Sequence, residues 1–285
     1  MNVNAVRLKL ASEILRRFPP EMPGKTRMAR RLLGSSILAK DVKIRSRRGI
    51  EFVTPSIQEP VGFYLLINGV YEADALEFIL DLLEPGGVFI DVGANIGSFT
   101  LPVARHLGAS GRVIAIESSP KVFPYLRQNV ALNALTNVSL IQCAASENDR
   151  LEAPFYEAPI DNFGMGSLGA QFHDAPISVM TRTLDSILEE RQIERVNLIK
   201  VDVEGFEVAV FRGAEKLLTG DDSPIIIFEF CDWAEERVPG GQIGDAQRLL
   251  EEWGYSIWRL KDKMTGKLPL TQTMTTGYEM LVAAK

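Results

Sequence analysis

From residue 72 onward, two kinds of apolar pattern alternate. Helical spacing runs over 73–83, 97–107, 120–132, 183–191, 207–218 and 245–253. Short, densely apolar runs at 88–92, 113–117, 138–143, 196–201 and 224–230 lie between them and read as buried strands. A strand covered on both faces shows no polar alternation. Two further strands are expected at 255–260 and 278–283, joined by a Lys- and Thr-rich loop. Helices and strands in alternation predict a parallel sheet with helices on both faces and right-handed crossovers. Such sheets bind ligands beyond the carboxyl ends of their strands, near the switch point. The chemistry is therefore expected just after Val92, Ile116, Ile141, Val201 and Phe230.

The rhythm fails in two places. Residues 145–180 are rich in Gly, Pro and Asp and read as an insertion in a domain spanning 71–285. Residues 1–70 read as an accessory segment: a basic helix, ended by Pro19, Pro20, Pro23 and Gly24, then short strands over 41–70 separated by turns such as Arg48-Gly49 and Asn68-Gly69. In the helix, Val3, Val6, Leu10, Ile14 and Phe18 share one face, while Arg7, Ser12, Glu13, Arg16 and Arg17 fall elsewhere. Two readings fit this helix. It packs on the body or on a partner chain of a homo-oligomer, or residues 1–20 contact an anionic membrane surface or reach toward an anionic substrate.

Charge sharpens that contrast. The 285-residue chain carries a net charge of −6. Residues 1–50 hold 13 Lys or Arg against 3 Asp or Glu, a balance of +10, and the rest holds 18 against 34, a balance of −16. The acidic body argues against nucleic acid as a partner, because phosphate recognition needs a basic footprint. With 46% hydrophobic residues, a packed core is assured, and no apolar run reaches membrane-spanning length. The N-terminal stretch makes a poor signal peptide. Cys143 and Cys231 suggest neither a disulfide framework nor, with two scattered histidines, a zinc site, so a cytoplasmic location is expected.

After the first buried strand the chain reads Asp91-Val92-Gly93-Ala94-Asn95-Ile96-Gly97-Ser98. Gly93 permits a tight turn and Gly97 opens the next helix. A dinucleotide fingerprint would place glycines where Asn95 and Ser98 stand, which counts against a nicotinamide-dependent oxidoreductase on the same sheet. Asp91 suits an ammonium group better than a diphosphate. The next strand ends in Glu117, followed by Ser118, and a carboxylate there can accept both hydroxyls of a ribose. An amino acid at the first strand, a ribose at the second and adenine beyond the third, near Ala144, together describe S-adenosylmethionine (SAM).

The fourth strand runs into Lys200-Val201-Asp202-Val203-Glu204-Gly205-Phe206-Glu207. Asp202 and Glu204 share a face if the strand continues, and Glu207 starts a helix where negative charge is favoured. Acids crowded at the end of a buried strand are unfavourable unless they bind something.

FIDVGANIGSFT (89–100), the strand ending in Glu117, RTLDSI (182–187), IKVDVEGFE (199–207), GAEKLL (213–218) and IIFEF (226–230) together resemble the FkbM family of SAM-dependent O-methyltransferases. The resemblance covers about residues 70–232. It implies a Rossmann-like class I methyltransferase: a seven-stranded, mostly parallel sheet with an antiparallel last strand. It also implies methyl transfer to a hydroxyl of a sugar, glycolipid or related natural product, so the partner is a small-molecule or glycolipid acceptor. Candidates for the base that takes the hydroxyl proton are Asp202, Glu204, Glu229 and, in the insertion, His173, while His106 is expected to be structural. Asn162–Ser167 is expected to form a lid or acceptor wall. Convergence of Asp202, Glu204, Glu229 and Asp232 would allow a divalent metal, although none is assigned. A SAM-binding scaffold without activity is the remaining alternative.

Overall fold

The computed structural model describes residues 3–170 and 175–285. The N-terminal segment forms helices α1 (Val3–Leu15) and α2 (Lys25–Leu33), a hairpin of β1 (Lys40–Arg45) and β2 (Glu51–Ser56), and helix α3 (Pro60–Asn68). Helix α4 (Ala73–Leu82) leads into the main sheet. There follow β3 (Val88–Val92), α5 (Thr100–Leu107), β4 (Arg112–Glu117), α6 (Phe123–Leu132) and β5 (Val138–Gln142). Short strands β6 (Ala144–Ala145), β7 (Glu152–Phe155) and β8 (Ile177–Arg182) occupy the region read as an insertion. Helix α7 (Leu184–Glu190), β9 (Leu198–Val201), α8 (Glu207–Arg212), β10 (Ile225–Cys231), β11 (Ser256–Arg259) and β12 (Tyr278–Ala284) complete the elements that matter for the site.

The seven-stranded sheet has the order β11-β12-β10-β9-β3-β4-β5. β12 runs antiparallel to both its neighbours, while β3, β4, β5, β9 and β10 are parallel. This is the expected architecture. β3 lies at the switch point, with β4 on one side and β9 on the other. Val92 is level with both Ile116 and Val201, so three strands end together beneath one crevice.

Side-chain alternation along each strand feeds two faces. Ile90, Val92, Ile114, Ile116, Ile199 and Val201 pack with α7 and α8 through Leu184, Ile187, Val210 and Phe211. Phe89, Val113, Leu198 and Ile227 pack the other face against α4 and α5 through Ile79, Leu80, Val103 and Leu107. A third cluster joins the N-terminal segment to the sheet domain, combining Leu15, Leu33, Ile44, Phe52 and Leu65 with Ile96, Leu101, Ala115 and Leu126. Burying each such side chain contributes about 1.5–3 kcal/mol.

Two local expectations are corrected. Residues 60–68 are helical rather than extended. Every residue of α3 except Pro60 and Tyr64 is buried, so no polar face betrays its period. Its start is set by Pro60 and by the Glu59 carboxylate, which accepts from the Gly62 N–H at 3.1 Å. The stretch 207–218 breaks into two helices at Gly213, where a Cβ would lie 2.0 Å from the Ser146 carbonyl oxygen. Helix α1 buries Leu8, Ala11, Ser12 and Leu15, while Leu10, Ile14 and Phe18 face outward. Of the stripe that spacing singled out, Leu10 and Ile14 of α1 and Phe18 just past its end are exposed.

Polar pins hold the N-terminal segment in place. Asn129 of α6, fully buried, accepts from the Val53 N–H at 2.7 Å and donates to the carbonyls of Val53 and Ile96 at 3.1 and 2.9 Å. Arg16 donates to the carbonyls of Leu65, Leu66 and Arg45. Asn129→Leu leaves three buried backbone groups without partners, each worth about 1–3 kcal/mol. Urea denaturation should show a loss of roughly 3 kcal/mol or more. An unchanged midpoint would mean that the segment is not anchored there.

Candidate active site

The turn after β3 is built for close approach. Gly93 has a φ of +77°, and a Cβ there would lie 1.9 Å from the Asp202 carbonyl oxygen, so only glycine lets the first and fourth strand ends meet. The N–H groups of Gly93 and Ala94 both donate to the Ile116 carbonyl. Glu117 closes β4, and its two carboxylate oxygens accept from the Asn95 and Ser119 N–H groups, each at 2.8 Å. Burial pushes Glu117 up to about 7 against those two donors, with the charges of Glu157 and Asp91 adding to the rise. Glu157 itself accepts from the Ser119 hydroxyl at 2.9 and 3.0 Å.

The strand ends surround a cavity of about 680 Å³. Gly93, Asn95, Ser98, Glu117, Ser118, Ala144, Asp202, Glu204 and Glu229 all line it, so the structure brings most of the sequence-derived candidates together. Three lie outside its lining. Asp91 is 1% exposed, and its Oδ2 accepts from the Thr100 hydroxyl at 2.5 Å. Its other oxygen, Oδ1, is buried without a hydrogen-bond partner, and the nearby Lys200 charge opposes the rise that burial imposes on its pKa. Ala94 packs in the core shared with the N-terminal segment. Gly97 is a backbone link, donating to Ala94 and accepting from Leu101. His173 falls outside the described residues. His106 bonds the Leu83 carbonyl through Nε2 at 2.6 Å, away from the cavity.

The floor is acidic. The carboxylates of Asp202, Glu204 and Glu229 each bring an oxygen within 4.8 Å of the others. Asp232 does not join them, because its oxygens accept from the Trp233 and Gly277 N–H groups. Lys200 supplies the counter-charge. Its ammonium is 2% exposed, donates to Asp202 Oδ2 at 2.8 Å and sits 4.8 Å from the centre of the Phe99 ring. Burial alone would lower its pKa, but Asp202, Asp91 and Glu72 outweigh that and raise it. One ammonium does not balance the whole group. Burial, then Asp202 and Glu207, push Glu204 up to about 8. Burial and the same acidic neighbours hold Glu229 well above the carboxylate range. Glu207, pushed by burial to about 8, braces the turn below by accepting from the Val203 and Gly205 N–H groups.

The walls come from segments remote in sequence. Phe163, Gly164, Met165, Gly166 and Ser167 line the cavity, as do Glu59, Pro60, Val61 and Tyr64 of the N-terminal segment. A Cβ on Gly164 would stand 2.8 Å from Asn95 Nδ2 and 2.9 Å from Glu59 Oε1, so three segments converge at that point. Gln58 and Ser56 donate to Asp161, and Ser167 donates to the Glu204 carbonyl. Sequence reasoning missed Glu59, Glu72 and Tyr278 and gave Lys200 no role. A lysine inside the apolar run of β9, and the Glu-Pro pair that opens α3, were the available signals.

Chemically, the cavity offers negative charge for a cation, a buried carboxylate with lone pairs left for a diol, and an apolar recess around Ala144, Ala145 and Phe155 for a flat ring. These are the demands of SAM, and they place the chain among proteins that carry this cofactor on a class I methyltransferase sheet. The chain matches the methyltransferase FkbM domain over residues 91–257. It is 29% identical over 187 residues to Methyltransferase 1 of Beauveria bassiana, covering 59% of this chain and 72% of that one. It is 28% identical over 182 residues to the 2-O-methyltransferase NoeI of Sinorhizobium fredii, covering 58% and 71%. It is 27% identical over 147 residues to the hexuronic acid methyltransferase AglP of Haloferax volcanii, covering 52% and 58%. The chain belongs to the FkbM methyltransferase family, and it is a SAM-dependent methyltransferase.

The raised carboxyls link stability to pH. Glu59, Glu204 and Glu207 titrate near 8 in the fold, against about 4.5 when unfolded. The folded state therefore holds more protons across this window. Its advantage is complete below about pH 4.5 and is lost as pH rises through about 8. Thermal melts without cofactor should fall steadily between these values. Glu207→Gln keeps an acceptor for the turn and removes one charge, so it should flatten the decline. A wild-type profile that is level across the window would contradict this electrostatic picture.

Proposed function

We propose that the chain transfers the methyl group of SAM to a hydroxyl of a sugar or of a lipid-linked glycan. The acidic, aromatic-walled cavity at the switch point carries this reading. Its carboxyls offer hydrogen-bond acceptors to a polyol, and Tyr64, Tyr71, Phe206, Trp233 and Tyr278 offer flat apolar surfaces to sugar rings. The names of the two relatives, a 2-O-methyltransferase and a hexuronic acid methyltransferase, favour the same acceptor class. A nicotinamide dinucleotide would set a diphosphate beside uncompensated acids, which the family match also disfavours.

The residues divide the work as follows. When bound, SAM supplies a methyl group activated by its sulfonium. Glu117 holds the ribose hydroxyls with the lone pairs left free by Asn95 and Ser119. Gly93, Asn95, Ser98 and Ser118 line the cavity where they would border the cofactor, and Ala144 would lie beside its adenine. Asp202, oriented by Lys200, faces the cationic part of the cofactor. Glu204 accepts the acceptor's proton. A carboxyl raised to about 8 is a stronger base than an ordinary one once ionised, and general-base catalysis is most effective when the pKa lies near the working pH. Glu229, held protonated, donates a hydrogen bond to a second acceptor oxygen. Proximity of aligned reactants supplies about 7–11 kcal/mol of the barrier in favourable cases.

Two measurements test this. Glu117→Ala should weaken SAM in calorimetric titration by roughly 10- to 100-fold, the worth of hydrogen bonds to a charged group. Unchanged affinity would remove Glu117 from the cofactor site. With labelled SAM and uronic acid-containing glycans, kcat should rise with pH and level off above about 8. Glu204→Gln should lower kcat by about 10²–10⁴-fold and erase that rise, with little change in SAM affinity. A retained pH dependence would assign the base elsewhere. Product NMR showing the methyl on nitrogen or carbon would overturn the hydroxyl assignment.

A further inference from the structure

The N-terminal segment carries two surface features that the methyl-transfer reading does not use. The first is an exposed apolar stripe made by α1 and the turn that follows it. Leu10, Ile14 and Phe18 recur every four residues, with exposures of 54%, 43% and 37%. A neighbouring side of the helix already satisfies its packing through Leu8, Ala11 and Leu15. A helix that only needed to pack would show water a polar outer face, whereas this one shows three large apolar side chains in line.

The second feature is charge. Between residues 6 and 50, Arg7, Lys9, Arg17, Arg27, Arg30 and Arg31 are among eleven exposed basic side chains, against three exposed acidic ones. Arg27, Arg30 and Arg31 border a hollow on α2 with Gly24 and Thr26. The rest of the chain has a balance of −16, so the excess of positive charge belongs to the N-terminal segment. Helices α1 and α2 pack against each other, which sets the apolar stripe and the basic hollow on one substructure.

We infer that this substructure docks on an anionic lipid surface, with Leu10, Ile14 and Phe18 entering the headgroup–acyl boundary and the arginines of α2 meeting lipid phosphates. Exposed apolar side chains beside a cationic surface suit contact with a lipid interface, and each basic residue near an anionic surface adds attraction that salt screens. The geometry ties docking to the cavity. Pro20 and Glu21, two and three residues beyond Phe18, line the cavity itself. Docking through α1 therefore sets the cavity beside the bilayer, where the sugar of a membrane-embedded acceptor stands. The inference goes beyond the methyl-transfer reading and does not rest on it, because vesicle binding requires neither SAM nor acceptor.

The test is co-sedimentation of the full chain with phosphatidylcholine vesicles, with and without phosphatidylglycerol. The protein should sediment with the anionic vesicles and be released by high salt. Leu10→Gln, Ile14→Gln and Phe18→Gln combined should weaken binding roughly tenfold or more, since three apolar contacts are lost without altering charge. Arg27→Gln with Arg31→Gln should weaken it further and reduce its salt sensitivity. These side chains are exposed, so melting temperature and SAM titration of the variants should match wild type. No binding to anionic vesicles, or equal binding by the triple variant, would overturn the inference. So would a dimer by light scattering that the triple variant dissolves, because a second copy would then cover the stripe. Loss of SAM binding in the wild-type chain would instead strike at the methyltransferase reading and leave the vesicle result intact.

Discussion

The ammonium of Lys200 sits inside the sheet domain with Asp202 in hydrogen-bond contact and the charges of Asp91 and Glu72 close enough to raise its pKa. Strand register puts it there. Lys200 is paired with Asp91 on β3 and with Ile227 on β10, and Glu229 stands two residues further along β10 on the same face. Isolated buried carboxylates are strongly disfavoured, and they persist when paired or when they hold a proton. This site uses both devices. Asp202 keeps a cation beside it, while Glu204, Glu207 and Glu229 are driven toward their neutral forms. Removing Lys200 would leave Asp91, Asp202 and Glu72 without the buried ammonium that all three act on.

Everything around that floor serves to close it. The three strand ends supply the turn of Gly93, the buried carboxylate of Glu117 and the acidic loop after β9. The segment after β5 adds Phe163 to Ser167, and the N-terminal segment adds Glu59, Pro60 and Tyr64. The contact at Gly164, wedged between Asn95 and Glu59, ties cofactor turn, inserted segment and N-terminal segment together with no room for a methyl group. The N-terminal segment is thus a wall of the cavity and shares a hydrophobic core with the sheet.

The sheet was legible in the sequence because buried parallel strands are short, wholly apolar runs separated by amphipathic helices, and the positions of Gly93, Glu117 and Asp202 follow from strand ends alone. Helix α3 was not, since a helix buried on nearly every side has no period to read. The apolar stripe through Leu10, Ile14 and Phe18 was recognised, but whether it packs or meets a membrane was left open. Spacing identifies a face without saying whether the other face is apolar enough to pack instead. Asp91 illustrates the same limit at the site. Its place before the glycine turn suggested a direct ligand, but its carboxylate is buried, bonds Thr100 and is not part of the cavity lining. Lys200 and Glu229 lie on different strands, 29 residues apart, so their neighbourhood depends on register, which no single segment encodes.

The most direct measurement is a crystal structure of the full chain with S-adenosylhomocysteine, the demethylated cofactor. The account predicts both ribose hydroxyls within hydrogen-bond distance of Glu117, the adenine in the recess around Ala144 and Phe155, and the sulfur directed toward Asp202 and Glu204. A ribose bound away from Glu117, or a sulfur turned away from the acidic floor, would contradict it.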